Sequence, residues 1–160
     1  MQNSKYAKLH SILRMAAALL ALIVFISMFV AKQVVHESGN AGLSYAFNTG
    51  AFFGDDHGTK GNVVGFIAYL FVLLGGLAGL AFVFIDEIIG KDLTKKLSFV
   101  VGGVIILGAL FIFLFSPIFK GINGLSNAWY TAAGPIVFGC LATLAGAANI
   151  AAPILEEKGY

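Results

Sequence analysis

Charge is what this sequence lacks most. Lysine and arginine number 10 and aspartate and glutamate 8, so charged side chains make up 11% of 160 residues, against about 25% in an ordinary soluble domain. Too few polar side chains remain to cover a globular surface in water. The formal net charge of +2 is too small and too scattered to form a nucleic-acid footprint. A single cysteine, Cys140, excludes an intrachain disulfide, and no Cys/His spacing points to a structural zinc site. Also missing are a GxxxxGK[ST] phosphate loop and any pairing of a nucleophile with a base. These absences argue against an enzyme and against a bound cofactor.

What the chain does have is long apolar runs. Hydrophobic residues make up 59% of it, and the mean hydropathy is +0.91. A bilayer core takes about 20 largely apolar residues in a helix, and four segments qualify, at about 15–31, 63–85, 99–119 and 129–155. As bounded, none contains Asp, Glu, Lys, Arg or His. Lys5, Lys8 and Arg14 ahead of the first run resemble the basic start of a signal peptide. Bulky Phe29 spoils a small-x-small cleavage site at Ala31, so the run reads as an uncleaved anchor. Residues 2–12 extend it as an interfacial helix with Tyr6, Leu9 and Ile12 on one face. The expected fold is therefore an all-α membrane protein: one tetraspan domain, residues 1–160, built as a four-transmembrane-helix bundle.

Lysine and arginine in short flanks set orientation. Lys5, Lys8, Arg14, Lys91, Lys95, Lys96 and Lys158 fall on one side, and Lys32, Lys60 and Lys120 on the other. This bias predicts a multi-pass protein of the cell membrane with both termini cytoplasmic. Residues 32–62 then form an outer loop, and Trp129 and Tyr130 open the last span at the outer interface, where aromatic belts lie.

The outer loop carries the phrase SYAFNTGAFFG, residues 44–54. Leu43, Tyr45 and Phe47 alternate with Ser44 and Ala46, which is strand periodicity. Asn48-Thr49-Gly50 offers a turn, and Ala51, Phe52 and Phe53 a return strand, giving a short extracellular β-hairpin. Such a hairpin is marginal alone in water, so Tyr45, Phe47, Phe52 and Phe53 need cover from the helix ends, from headgroups or from another protein. The loop also holds His36, Glu37, Asp55, Asp56 and His57. Asp55-Asp56-His57-Gly58 lacks the spaced pattern of a calcium loop, and adjacent residues rarely all face one ion, so no metal site is assigned.

Helix association in lipid relies on close packing of small residues. Gly75 and Gly79 form a small-xxx-small pair in the second span. The third has Gly102, Gly103 and Gly108. The fourth repeats Ala142/Gly146, Ala147/Ala151 and Ala148/Ala152, spacings that stack on one side of a helix. Ser116-Pro117 should bend or end the third span, and Gly134-Pro135 sits one turn into the fourth. Among the few intramembrane polar groups, Asn149 is the most costly to bury and calls for a helix–helix partner.

The layout resembles small four-helix membrane proteins of uncharacterised function in Gram-positive bacteria. The likeness is carried by YAFNTGAFFG followed by KGNVVGFIAYLFVLLGGLAGL. It implies a bacterial tetraspan fold and supplies no catalytic residues. The order of elements is also similar to the claudin-like plan, with its strand-bearing first outer loop. That family's loop tryptophan and paired cysteines have no counterpart between Lys32 and Asn62. Together these features point to a structural or interaction protein, an accessory subunit or self-associating scaffold whose partner is a second copy or another membrane protein. An oligomeric pore lined by Ser, Thr and Asn is the first alternative, and a lipid-binding protein the second.

Overall fold

The computed structural model describes residues 8–37, 44–47, 50–54, 60–125 and 129–158, with residues 36, 37, 44–47, 50 and 129 described by their backbone. Four long helices dominate: α1 (Leu9–Val30), α3 (Val63–Ile89), α4 (Lys91–Phe113) and α6 (Ala133–Glu157). Each is long and apolar enough to cross a membrane. The shortest, α1, has 22 residues and is about 33 Å long at 1.5 Å per residue. Two short helices, α2 (Gly50–Phe53) and α5 (Phe115–Asn123), and three strands, β1 (Val34–Glu37), β2 (Ser44–Phe47) and β3 (Trp129–Thr131), gather at one end.

The helix limits have local causes. The Asn62 side chain accepts a hydrogen bond from the Gly65 amide and caps α3. At the far end of α3, Gly90 takes φ 87°, ψ 144°, a conformation open to glycine and strained for other residues. This one residue separates α3 from α4. The long third run is interrupted at Leu114 (φ −83°, ψ 4°), so α4 ends at Phe113 and α5 begins at Phe115. Pro117 is the cause: it lacks an N–H and its ring crowds the carbonyl four residues back, which is that of Phe113. Gly124, in the left-handed conformation, closes α5.

The first helix begins at Leu9, so residues 9–12 of the expected extension and the span expected from 15 form one helix, which brings His10 and Arg14 into it, while residues 2–7 lie outside the described residues. The fourth begins at Ala133 rather than 129. Trp129–Thr131 is strand β3, because aromatic and β-branched residues suit a pleated surface and because β1 offers a free edge. The sheet order is β2-β1-β3. Val34 pairs with Phe47 and Glu37 with Ser44 on one side, and Val34 with Thr131 on the other, all antiparallel. The hairpin therefore exists, but its second arm is Val34–Glu37. The return strand expected at Ala51–Phe53 is helix α2, because Phe52 turns inward and is fully buried. Its ring stands edge-on to Tyr69 and Phe115, with centroids 5.5 and 4.9 Å away. The expected turn at Asn48-Thr49 lies outside the described residues.

In the bundle α1 packs on α3 and α6, and α4 packs on the same two, so α1 faces α4 across the centre. The core seam of α1 runs through Ala17, Ala21, Val24 and Met28, all fully buried. Spacings of three and four place them on one face. The partner helices contribute Val72, Ile105, Ala142 and Ala145.

Candidate functional site

Followed toward the end away from the sheet, each core seam changes from small apolar to polar residues. On α1 the phase that carries Ala21 and Ala17 continues to Arg14 and His10. On α3 it continues to Asp86, on α4 to Ser98 and Thr94, and on α6 to Glu156. Arg14, His10, Asp86, Ser98 and Thr94 are all buried. Glu156 keeps 14% of its side chain exposed.

Arg14 is the centre of this cluster and is completely buried. It touches all three other long helices. Its Cζ stands 5.9 Å from the Phe82 ring centroid on α3, within cation–π range. Its Nη2 lies 3.5 Å from Ser98 Oγ on α4 and 3.8 Å from Glu156 Oε2 on α6. The charge of Asp86 also acts on it. Nε and Nη1 have no hydrogen-bond partner among the described residues. A guanidinium in this position ties the four helices together while two of its three nitrogens find no acceptor among the described residues.

Glu156 is shared. Its Oε2 faces Arg14, and its Oε1 lies 3.6 Å from Lys91 Nζ. Beyond it, between the start of α4 and the end of α6, is a cavity of about 370 Å³ lined by Lys91, Asp92, Lys95, Pro153, Glu156 and Glu157. Lys95 Nζ donates to Glu157 Oε1 at 2.7 Å. Among the described residues, no group of three or more histidine, cysteine or carboxylate side chains is placed to hold a metal ion.

The sheet end has its own polar set. Tyr69 Oη donates to Gln33 Oε1 at 3.0 Å, and Gln33 Nε2 donates to the Ala31 carbonyl at 3.0 Å. Asn62 Nδ2 donates to the Phe115 carbonyl at 3.2 Å. Lys60 and Asn123 exchange two bonds, with the Lys60 amide donating to Asn123 Oδ1 at 2.6 Å and Asn123 Nδ2 donating to the Lys60 carbonyl at 2.9 Å. These bonds join the loop and α5 to the bundle, and none presents a reactive group.

The residues singled out in the sequence fall in different places. Phe52 is in the core, whereas Phe53 is 60% exposed beside Phe66, their ring centroids 5.1 Å apart. Tyr45 and Phe47 lie in β2, opposite His36 and Val34, and their side chains are outside what the structure describes. Gly75 lies against Ile105 of α4. Gly79 and Asn149 meet: any side chain at Gly79 would overlap the Asn149 carboxamide. Asn149 is fully buried, and its Nδ2 donates to the Ala145 carbonyl at 3.3 Å while its Oδ1 has no partner among the described residues. Ala142 is fully buried, and Gly146 lies against Ile106 and the Gly102 carbonyl. Cys140 is exposed. Of the candidate metal ligands, His36 and Glu37 are in β1, while Asp55, Asp56 and His57 lie outside the described residues.

The Arg14 cluster is absent from the sequence expectations because the first apolar run is counted from the residue after Arg14. The signal is one of phase, since His10, Arg14, Ala17 and Ala21 follow spacings of four, three and four. Pro153 also escaped notice. It lies inside α6 and leaves the Asn149 carbonyl without its helical donor.

No family model matches this chain, and neither the curated proteins nor the solved structures compared with it contain a match.

Proposed function

We propose that this chain is a multi-pass protein of the cell membrane with both termini in the cytoplasm, serving as an accessory subunit or self-associating scaffold. The observation that carries the reading is the sidedness of the four long helices. Many of their small residues, among them Ala17, Ala21, Gly75, Gly79, Gly102, Ala142 and Gly146, face the inside of the bundle, while Leu19, Leu74, Phe84, Val100 and Leu144 are each more than half exposed. Outward apolar faces of this extent mark contact with lipid or with another protein. The cluster of Arg14, Asp86 and Glu156 closes one end, which fits the lysine-rich side of the chain facing the cytoplasm. No observation favours the pore over this reading. Thr143 Oγ1 donates to its own helix at the Gly139 carbonyl, 2.9 Å away, and Asn149 is sealed between α6 and α3.

Extraction in a mild detergent tests the proposal. A scaffold or subunit runs as a defined multiple of its 16.8 kDa mass or retains a second protein, and vesicles reconstituted with it stay tight to ions. A lone protomer with no companion contradicts the reading, and ion flux through those vesicles would replace it with the pore.

A further inference from the structure

The cavity between α4 and α6 is not required by a scaffold role. Its volume of about 370 Å³ is at the lower end of small-ligand sites, which run from roughly 300 to 1,000 Å³. Its wall carries both signs of charge. Lys91 and Lys95 come from the first turns of α4, Asp92 lies between them, and Glu156 and Glu157 come from the last turn of α6. A net anion would meet three carboxylates, and a net cation two ammonium groups. A ligand carrying both charges a few bonds apart meets a partner for each. The start of α4 adds the positive end of a helix dipole on the lysine side.

The position of the cavity narrows the ligand class. It opens at the ends of two helices long and apolar enough to cross a membrane, on the side that holds most of the lysines. Above it, Phe99 and Gly103 follow Lys95 at intervals of four residues and therefore share its face of α4. Phe99 is 38% exposed, and nothing stands within 4 Å of where a side chain at Gly103 would be. A shallow apolar track thus leads from the charged cavity toward the middle of the helix.

We propose that this cavity binds the headgroup of an aminophospholipid, with the phosphodiester on Lys91 and Lys95, the ammonium between Asp92, Glu156 and Glu157, and an acyl chain along Phe99 and Gly103. The proposal rests on the reading that the four helices span the bilayer. Binding opens three ion pairs, Lys95–Glu157 at 2.7 Å, Lys91–Glu156 at 3.6 Å and Lys96–Asp92 at 2.8 Å, and the freed lysines and carboxylates take contacts of the same kind with the phosphodiester and the ammonium.

The test is native mass spectrometry of the full chain in detergent, with phosphatidylethanolamine, phosphatidylcholine and phosphatidylglycerol of identical acyl chains. Phosphatidylethanolamine is retained about tenfold better than the other two. Phosphatidylcholine loses because its quaternary nitrogen has no N–H to donate, and phosphatidylglycerol because it brings no positive charge. Lys91→Ala/Lys95→Ala lowers that retention by about tenfold. Asp92→Asn/Glu157→Gln lowers it similarly and raises retention of phosphatidylglycerol, a reversal that general damage to the fold would not produce. Equal retention of the three lipids, or unchanged retention in both variants, overturns the proposal. Displacement by soluble phosphoethanolamine at matched concentration overturns the lipid as the source of the headgroup. A chain that stays in solution without detergent contradicts the membrane reading itself and is a separate result.

Discussion

Neutralising Glu156 should harm this protein more than removing the arginine it faces. In Glu156→Gln the guanidinium of Arg14 remains completely buried. It keeps Ser98 at 3.5 Å and the charge of Asp86, and its Nε and Nη1 already have no hydrogen-bond partner among the described residues. Breaking a buried pair while leaving one charge behind costs about 3–5 kcal/mol. In Arg14→Met the charge left behind is on Glu156, which has 14% of its side chain exposed and Lys91 at 3.6 Å. That carboxylate can turn outward, and methionine restores most of the volume, so the cost falls to about 1–2 kcal/mol. The double variant Arg14→Met/Glu156→Gln removes both members of this pair and leaves Asp86, which also accepts from the Glu87 amide, as the one carboxylate of the cluster. It should therefore be more stable than Glu156→Gln alone, by about 2 kcal/mol. Equilibrium unfolding in mixed micelles, followed through Trp129, the only tryptophan, measures all three. A double variant as unstable as the sum of the single ones would refute the claim that Arg14 depends on Glu156.

Three further outcomes follow from the packing. Gly79→Ala should cost about 1–3 kcal/mol by overpacking against Asn149, and Asn149→Ala in the same chain should restore part of it, as the same unfolding assay reads. Phe52→Ala should cost about 3–5 kcal/mol because its ring is fully buried, whereas Phe53→Ala should leave the unfolding midpoint nearly unchanged. If Phe53→Ser abolishes association while the midpoint holds, the loop is a contact surface as well as a cap. Gly90→Ala should cost about 1–3 kcal/mol, because φ 87° with ψ 144° is strained for any residue with a side chain; an unchanged midpoint would mean that the link between α3 and α4 relaxes freely.

The four helices were legible because an unbroken apolar run of span length is a property of composition, which a window can count. Where the runs end was harder, because the ends are set by contacts distant in sequence. Trp129–Thr131 is as apolar as the helix after it, and only the free edge of β1 makes it a strand. The partner of Ser44–Phe47 was misplaced for a related reason. Ala51–Phe53 is the nearest apolar segment, but Phe52 gains more by entering the cluster of Tyr69 and Phe115 than by pairing beside β2. Val34–Glu37 was the better strand candidate on β-branched content. The Arg14 cluster was hidden by the search for apolar residues, which stops at the first charge. Following the helical phase past that charge would have revealed it, since Arg14, Asp86, Ser98 and Glu156 all continue buried seams. The pairing of Gly79 with Asn149 lay outside any single-helix reading, because it needs the relative height of α3 and α6.

Four crossings of the bilayer, with both ends on one side, is the claim from which the rest follows. Single cysteines at Lys60, Asp92 and Lys158, in a Cys140→Ser background, test it through labelling of intact cells with a membrane-impermeant thiol reagent. The account predicts that Lys60→Cys is labelled in intact cells, while Asp92→Cys and Lys158→Cys react only after lysis. Labelling of Lys158→Cys alongside Lys60→Cys, with Asp92→Cys protected, would contradict it.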